Sequence, residues 1–240
     1  AKRSHDEADE LKKEAKLVKA EGEAAEQAAG AAEAAGECAA VLEKAGLVEE
    51  AKAVKEVEDI LKGGKESGAD LEEAAHTAHD LAAKLRSEGK DDEANKVEEL
   101  AHLLDVAAES KLKVEGDQKE KESKAAMKQA AGEGHEIADK LREDGNGELA
   151  EMVDEVVKEV EAALSGEPDA EELDHSISGA KAAAEKLRAE GKEEEAAKMD
   201  TMVEKLEQAL ETHQSVETHQ LHLDVVSMAE KFQGAESDDE

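Results

Sequence analysis

The chain has almost no aromatic residues and very little cysteine or proline. Among its 240 residues there is no Trp or Tyr, and there is only one Phe, one Cys and one Pro. A single cysteine cannot form an intramolecular disulfide, so a disulfide framework is excluded and a reducing, cytoplasmic-type compartment is expected. Aromatic and β-branched residues favour strands, and their scarcity makes a strand-rich fold unfavourable.

Long apolar segments and basic charge are also scarce. We find no stretch of about 18 apolar residues and therefore expect no transmembrane helix. Residues 1–6 lack the apolar core of a signal peptide, so no targeting signal is expected. The 65 acidic and 31 basic residues give a net charge of −34, which repels nucleic acids and anionic membranes and favours cations or basic partners. We expect a soluble protein without nucleic-acid or membrane partners. A small-molecule cofactor stays possible, and the oligomeric state stays open, with a monomer favoured.

The composition alone lies near that of disordered proteins. Leu, Val, Ile and Phe make up roughly 17% of the chain, below the level of about 20% that, with high net charge, indicates disorder. The remaining residues are dominated by Ala, Glu and Lys, which are strong helix formers. Disorder and an almost entirely helical fold are therefore the two interpretations to be separated.

A repeated pattern favours the helical interpretation. Leu is followed four residues later by Gly and nine residues later by Ala, and this spacing occurs four times. A Gly at this place ends a helix in the left-handed conformation, and we expect the Leu and Ala on either side to face each other across the turn. The four copies are Leu42, Gly46 and Ala51; Leu85, Gly89 and Ala94; Leu141, Gly145 and Ala150; Leu187, Gly191 and Ala196.

The sequence therefore predicts an all-α fold of antiparallel hairpins, with about 8–10 helices in a repeat array or bundle. Capping-box patterns at Asp70 with Glu73 and at Asp117 with Glu120 mark two helix starts, and Pro168 is placed as a first helical residue. We expect one domain over 1–240, hairpin turns near 46, 89, 145 and 191, and a frayed acidic tail at 235–240. The predicted helices are 5–21, 23–45, 47–62, 69–88, 91–115, 117–144, 148–164, 168–190, 192–214 and 216–234, with 5–45 as a possible single helix.

These caps, turns such as Glu190–Gly191–Lys192–Glu193, and surfaces of nearly pure Glu and Lys resemble de novo designed helical-repeat and helical-bundle proteins. The resemblance covers about residues 40–215. It implies an artificial, soluble scaffold with no evolved catalytic activity. No phosphate-binding loop, dinucleotide motif, zinc-binding Cys cluster or Gly-x-Ser-x-Gly elbow occurs, and Cys38 is interpreted as a small buried residue.

Glycine and alanine form faces of small residues that depart from idealised design. One such face contains Gly22, Ala25, Ala29, Ala32, Gly36 and Ala39, and others surround Gly134 and Gly179. Two interpretations stay open. The helices pack tightly through these residues, or the faces line a cavity for a ligand. The second is disfavoured because pockets normally have aromatic walls.

Histidine offers the clearest candidate ligands for a cofactor. His79 and His135 each lie six residues before the Leu of their repeat, and His213 continues an apolar stripe. Imidazole nitrogens bind haem iron or a transition metal, so these three residues are candidates for holding haem or a divalent transition-metal ion. The alternative is that they are ordinary boundary or core residues.

Pairs of His three residues apart are candidates for metal binding from one helix face. These pairs are His76 with His79 and His219 with His222. His76 and His102 each lie thirteen residues from Gly89, and this spacing predicts that they are level on the hairpin, although His102 falls on a polar face.

A further alternative function is an acidic surface that captures basic partners. The even spread of the acidic residues along the helices disfavours it.

Overall fold

The computed structural model describes the backbone of residues 2–165 and 170–236, and the side chains of residues 11–165, 170–215 and 218. Seven helices and no strand occur in this part of the chain, which confirms the predicted all-α hairpin fold. The helices are α1 (Lys2–Lys44), α2 (Val48–Gly63), α3 (Gly68–Ser87), α4 (Asp91–Glu143), α5 (Gly147–Ser165), α6 (Ala170–Ala189) and α7 (Glu193–Glu236).

The helix count falls below the predicted range because three predicted breaks are absent. The segments on either side of Gly22 form α1, those on either side of Gly116 form α4, and the predicted helices 192–214 and 216–234 merge into α7, which begins at Glu193. Gly22 and Gly116 do not adopt positive φ, and a glycine without it weakens a helix without ending it. Pro168 and residues 237–240 of the predicted frayed tail lie outside the described residues.

The four predicted turns share one hydrogen-bonding pattern. At the second turn Gly89 has a φ of +75°, its N–H donates to the carbonyl of Arg86 at 3.0 Å, and the N–H of Lys90 donates to the carbonyl of Leu85 at 3.0 Å. These two bonds define a Schellman motif, which satisfies the last carbonyls of the helix. The carbonyl of Lys90 then accepts the first bond of α4, from Ala94 at 2.9 Å. Three residues thus end one helix and begin the next.

Burial of the repeated Leu and Ala accompanies each turn. All eight side chains are at most 1% exposed, as the pattern predicted. The Leu lies in the last turn of its helix and the Ala in the first turn of the next, so the two helices come into contact as soon as the chain reverses. The residues are Leu42, Leu85, Leu141, Leu187, Ala51, Ala94, Ala150 and Ala196.

Helix α3 begins one residue earlier than the sequence indicated. The N-cap is Ser67, whose hydroxyl accepts from the N–H of Asp70 at 3.2 Å, while the Asp70 carboxylate accepts from the N–H of Ser67 at 2.8 Å. The predicted box of Asp70 with Glu73 is therefore wrong, because Asp70 occupies position N3 of the helix, at the end of the box, rather than the N-cap. The hydrogen bonds from Ser67 lower the pKa of Asp70.

The chain divides into two compact units, Ala1–Asp117 and Gln118–Glu240, and the boundary lies within α4. The core of the first unit is rich in Ala, and that of the second contains more Val and Met. The interpretation of the whole chain as one domain stays a prediction. No helix of the described residues is both long and apolar enough to cross a membrane.

The small-residue faces are partly packed and partly exposed. In α1 the core contains Ala31, Ala32, Ala35 and Ala39, whereas Ala29 of the predicted face is exposed. A side chain added at Gly134 would meet the Cγ2 atom of Val157 at 2.3 Å. At Gly134, therefore, the absence of a side chain permits close helix packing, and a neighbouring valine fills the space.

The two glycines of α4 near its C-terminal end give a matched stability test. A Cβ at Gly132 meets nothing within 4 Å, whereas one at Gly134 meets Val157. Gly132→Ala should raise the free energy of unfolding by about 0.5–1 kcal/mol because it restricts the unfolded chain and favours helix. Gly134→Ala should lower it by about 1–3 kcal/mol through overpacking. Urea unfolding followed by circular dichroism measures both; equal effects would show that Gly134 is not closely packed.

Candidate functional site

An ion pair crosses each of the four hairpins that have the repeated glycine turn, close to that turn. The residue three before the turn glycine pairs with the residue nine after it, and we call this the near pair. In the second hairpin Arg86 contacts Glu98 at 3.2 Å. The first hairpin has the same pair with its charges exchanged, since Glu43 contacts Lys55. The four near pairs are Glu43–Lys55, Arg86–Glu98, Arg142–Asp154 and Arg188–Asp200.

A second contact between a basic side chain and a carboxylate lies farther from the turn in three of the hairpins. The residue ten before the glycine pairs with the residue sixteen after it, and we call this the far pair. The far pairs are His79–Asp105 at 2.9 Å, His135–Glu161 at 3.0 Å and Lys181–Glu207 at 2.7 Å. His79 and His135 therefore occupy equivalent positions, as their spacing indicated, and both face a carboxylate on the next helix.

The direction of helical side chains explains these offsets. Every side chain tilts toward the N-terminus of its own helix. In a hairpin, the first helix therefore directs its side chains away from the turn, and the second helix directs its side chains back toward it. The two residues of each near pair and each far pair are displaced by six residues between the two sides. The prediction that His76 lies level with His102 stays a prediction. His102 lies against His79, with ring centroids 5.5 Å apart and planes at 77°.

Helices α3 and α4 bring four titratable side chains together around His79. Its Nε2 atom is 2.9 Å from an Asp105 oxygen, and its Nδ1 atom is 3.2 Å from an oxygen of Glu98. The other oxygen of Glu98 accepts from Arg86 at 3.2 Å. One donor atom from each of His79, His102 and Asp105 lies within 4.8 Å of the others. Two imidazoles and a carboxylate therefore meet at the surface of the first unit.

The charge environment of His79 favours its protonated form. Burial disfavours the imidazolium, but the hydrogen bond to Asp105, together with the negative charges of Asp105 and Glu98, outweighs burial. The pKa of His79 is consequently raised above its ordinary value of 6.5. The side chain is one-third exposed, so solvent reaches the ring and screens these interactions.

The other candidate histidines occupy different settings. His76 is exposed on α3, and His135 is 54% exposed beside Glu161. His213 is partly buried on α7. The side chains of His219 and His222 lie outside the described residues, so their pairing is still a prediction. Binding of haem by His79, His135 or His213 also stays a prediction.

A shallow surface site and the cysteine complete the candidate chemistry. A surface depression of about 400 Å³ in the second unit is lined by acidic residues of α5 and α6 and by His175.

Cys38 is 1% exposed, and burial raises its pKa to about 11. A thiol with such a pKa is protonated near neutral pH and is a poor nucleophile, which agrees with the interpretation of Cys38 as a packing residue.

Sequence reasoning identified His79 but missed its partners His102, Asp105 and Glu98. The signal for them was present in the spacing, since acids occur nine and sixteen residues after Gly89, Gly145 and Gly191 alike. Comparisons of the chain with protein-family models, with curated proteins and with solved structures found no match.

The pKa of His79 depends on Asp105 in a way that NMR can measure. In protein kept metal-free with EDTA, titration of the His79 Hε1 signal should give a pKa above 6.5, and Asp105→Asn should lower it. Because the folded pKa exceeds the unfolded one, the interaction stabilises the fold fully below about pH 6.5 and is lost as the pH rises through the folded pKa. Asp92→Asn, an exposed change at the start of α4, is the control; an unchanged His79 pKa in Asp105→Asn contradicts the assignment.

Proposed function

We propose that the chain is an artificial helical scaffold that holds surface side chains in a repeated frame and has no evolved catalytic activity. The observation that supports this most is the recurrence of one device at all four hairpins. Each has a left-handed glycine, a buried Leu and Ala, and a near pair at the same offsets. Such consistency between local and tertiary structure is typical of designed sequences.

The distribution of polar residues also supports a scaffold. The interior of the first unit consists mainly of Ala, Leu and Val, and that of the second also contains Met. Few charged side chains are buried, and several of the exposed ones pair across hairpins. Exposed ion pairs of this kind contribute about 0–1 kcal/mol each. Their main effect in this proposal is to specify which residues of neighbouring helices meet.

The scaffold proposal predicts a constant separation between helices. Spin labels at Glu151→Cys and Ser178→Cys, in a Cys38→Ala background, would report the distance between α5 and α6 by double electron–electron resonance. Both positions are exposed. We expect one narrow distance distribution that does not change when poly-lysine is added at about 0.15 M salt, where charges farther apart than about 8 Å are largely screened.

A shuffled chain of identical composition is the matched control for charge. If the protein only presents a charged surface, it should bind poly-lysine no more tightly than the shuffled chain of the same net charge, −34. Binding at least about tenfold tighter than the shuffled chain, abolished at about 0.5 M salt, would contradict the scaffold proposal. That result would favour an acidic surface arranged to capture basic partners.

A further inference from the structure

We propose that His79, His102 and Asp105 bind one divalent transition-metal ion, with Zn²⁺ as the reference ion. The ligands are two imidazole nitrogens and one carboxylate oxygen, supplied by α3 and α4. Imidazole is a ligand of Zn²⁺, Fe²⁺, Ni²⁺ and Cu²⁺, whereas Mg²⁺ and Ca²⁺ favour sites made of oxygen alone. Three protein ligands leave at least one coordination position for water.

The distances require only a small rearrangement. The donor atoms lie within 4.8 Å of one another, and around a tetrahedral ion with bonds of about 2.1 Å they would be about 3.4 Å apart. His102 is 68% exposed and can turn about its side-chain bonds without disturbing the core. Binding replaces the hydrogen bond between His79 and Asp105 by two bonds to the ion, and any proton on the Nε2 atom of His79 passes to solvent.

Glu98 and Arg86 hold the His79 ring in the orientation that the ion needs. With Nε2 on the metal, Nδ1–H donates to Glu98, whose second oxygen accepts from Arg86. A carboxylate behind a metal-bound histidine fixes its tautomer and makes it a better ligand. The imidazole of His79 thereby connects the far pair of this hairpin, His79–Asp105, with its near pair, Arg86–Glu98.

Comparison among the hairpins separates this site from an ordinary ion pair. The far pair recurs as His135–Glu161 and Lys181–Glu207, so His79–Asp105 alone does not indicate a metal. The position that distinguishes these hairpins from one another lies thirteen residues after the turn glycine. It is His102 in this hairpin, Lys158 in the next and Glu204 in the last. Only the α3–α4 hairpin therefore has two imidazoles beside a carboxylate at these positions.

Two substitutions replace an imidazole with the residue at the equivalent position of another hairpin. Both leave the surrounding polar residues unchanged. His102→Lys reproduces Lys158, and His79→Lys reproduces Lys181, which keeps an ion pair with the acid opposite. Calorimetric titration of the EDTA-treated, dialysed full-length chain with ZnCl₂ should give one tight site, and each substitution should remove it. The loss of Zn²⁺ affinity in each variant should exceed the roughly 10–100-fold loss expected for Glu98→Gln, which removes only the hydrogen-bond partner of a ligand.

His135→Lys is the matched control and should leave the tight site intact. Lys158→His should create a second site beside His135 and Glu161. Visible absorption of bound Co²⁺, together with circular dichroism, distinguishes lost ligation from lost folding. Wild-type affinity in either His102→Lys or His79→Lys would overturn the proposal, as would a tight site abolished by changing His219 and His222 instead. Absence of Zn²⁺ binding by the wild-type chain would overturn it directly and would leave the scaffold proposal standing.

Discussion

One backbone conformation underlies the hairpins. At Gly46, Gly89, Gly145 and Gly191 the chain adopts φ values of +75° to +80°, which cost a residue with a Cβ roughly 1–2 kcal/mol. That conformation lets the N–H groups of the glycine and of the residue after it donate to carbonyl groups in the last turn of the first helix. Because only three residues separate the helices, the buried Leu lies in the last turn of one helix and the buried Ala in the first turn of the next.

The turns also determine which surface residues meet. Since side chains tilt toward the N-terminus of their helix, the two residues of each near pair and each far pair have separations from the glycine that differ by six. Near and far pairs obey this relation with different residue types, including the exchanged charges of Glu43 and Lys55. The residue thirteen after the turn glycine is His102 in one hairpin and Lys158 in the next, so equivalent surface positions differ in chemistry between hairpins that have the same turn.

The sequence predicted the turns better than it predicted the helix lengths or the site. Leu and Ala phased around glycine distinguish true turns, whereas Gly22 and Gly116 lack Ala five residues later, with Gln27 and Lys121 there instead. The capping pattern at Asp117 was misleading because the same residue types also suit a helix surface. The contact between His79 and His102 was missed because counting equal distances from Gly89 ignores the tilt of side chains.

All four hairpins around Gly46, Gly89, Gly145 and Gly191 close through the same turn. Amide hydrogen exchange measured by NMR tests this most directly at Leu47, Lys90, Asn146 and Lys192, whose N–H groups donate to the preceding helix at 2.8–3.0 Å. We expect these four amides to exchange slowly, at rates close to those of the helices they join. Exchange as fast as in an unstructured loop, at even one of these turns, would contradict it.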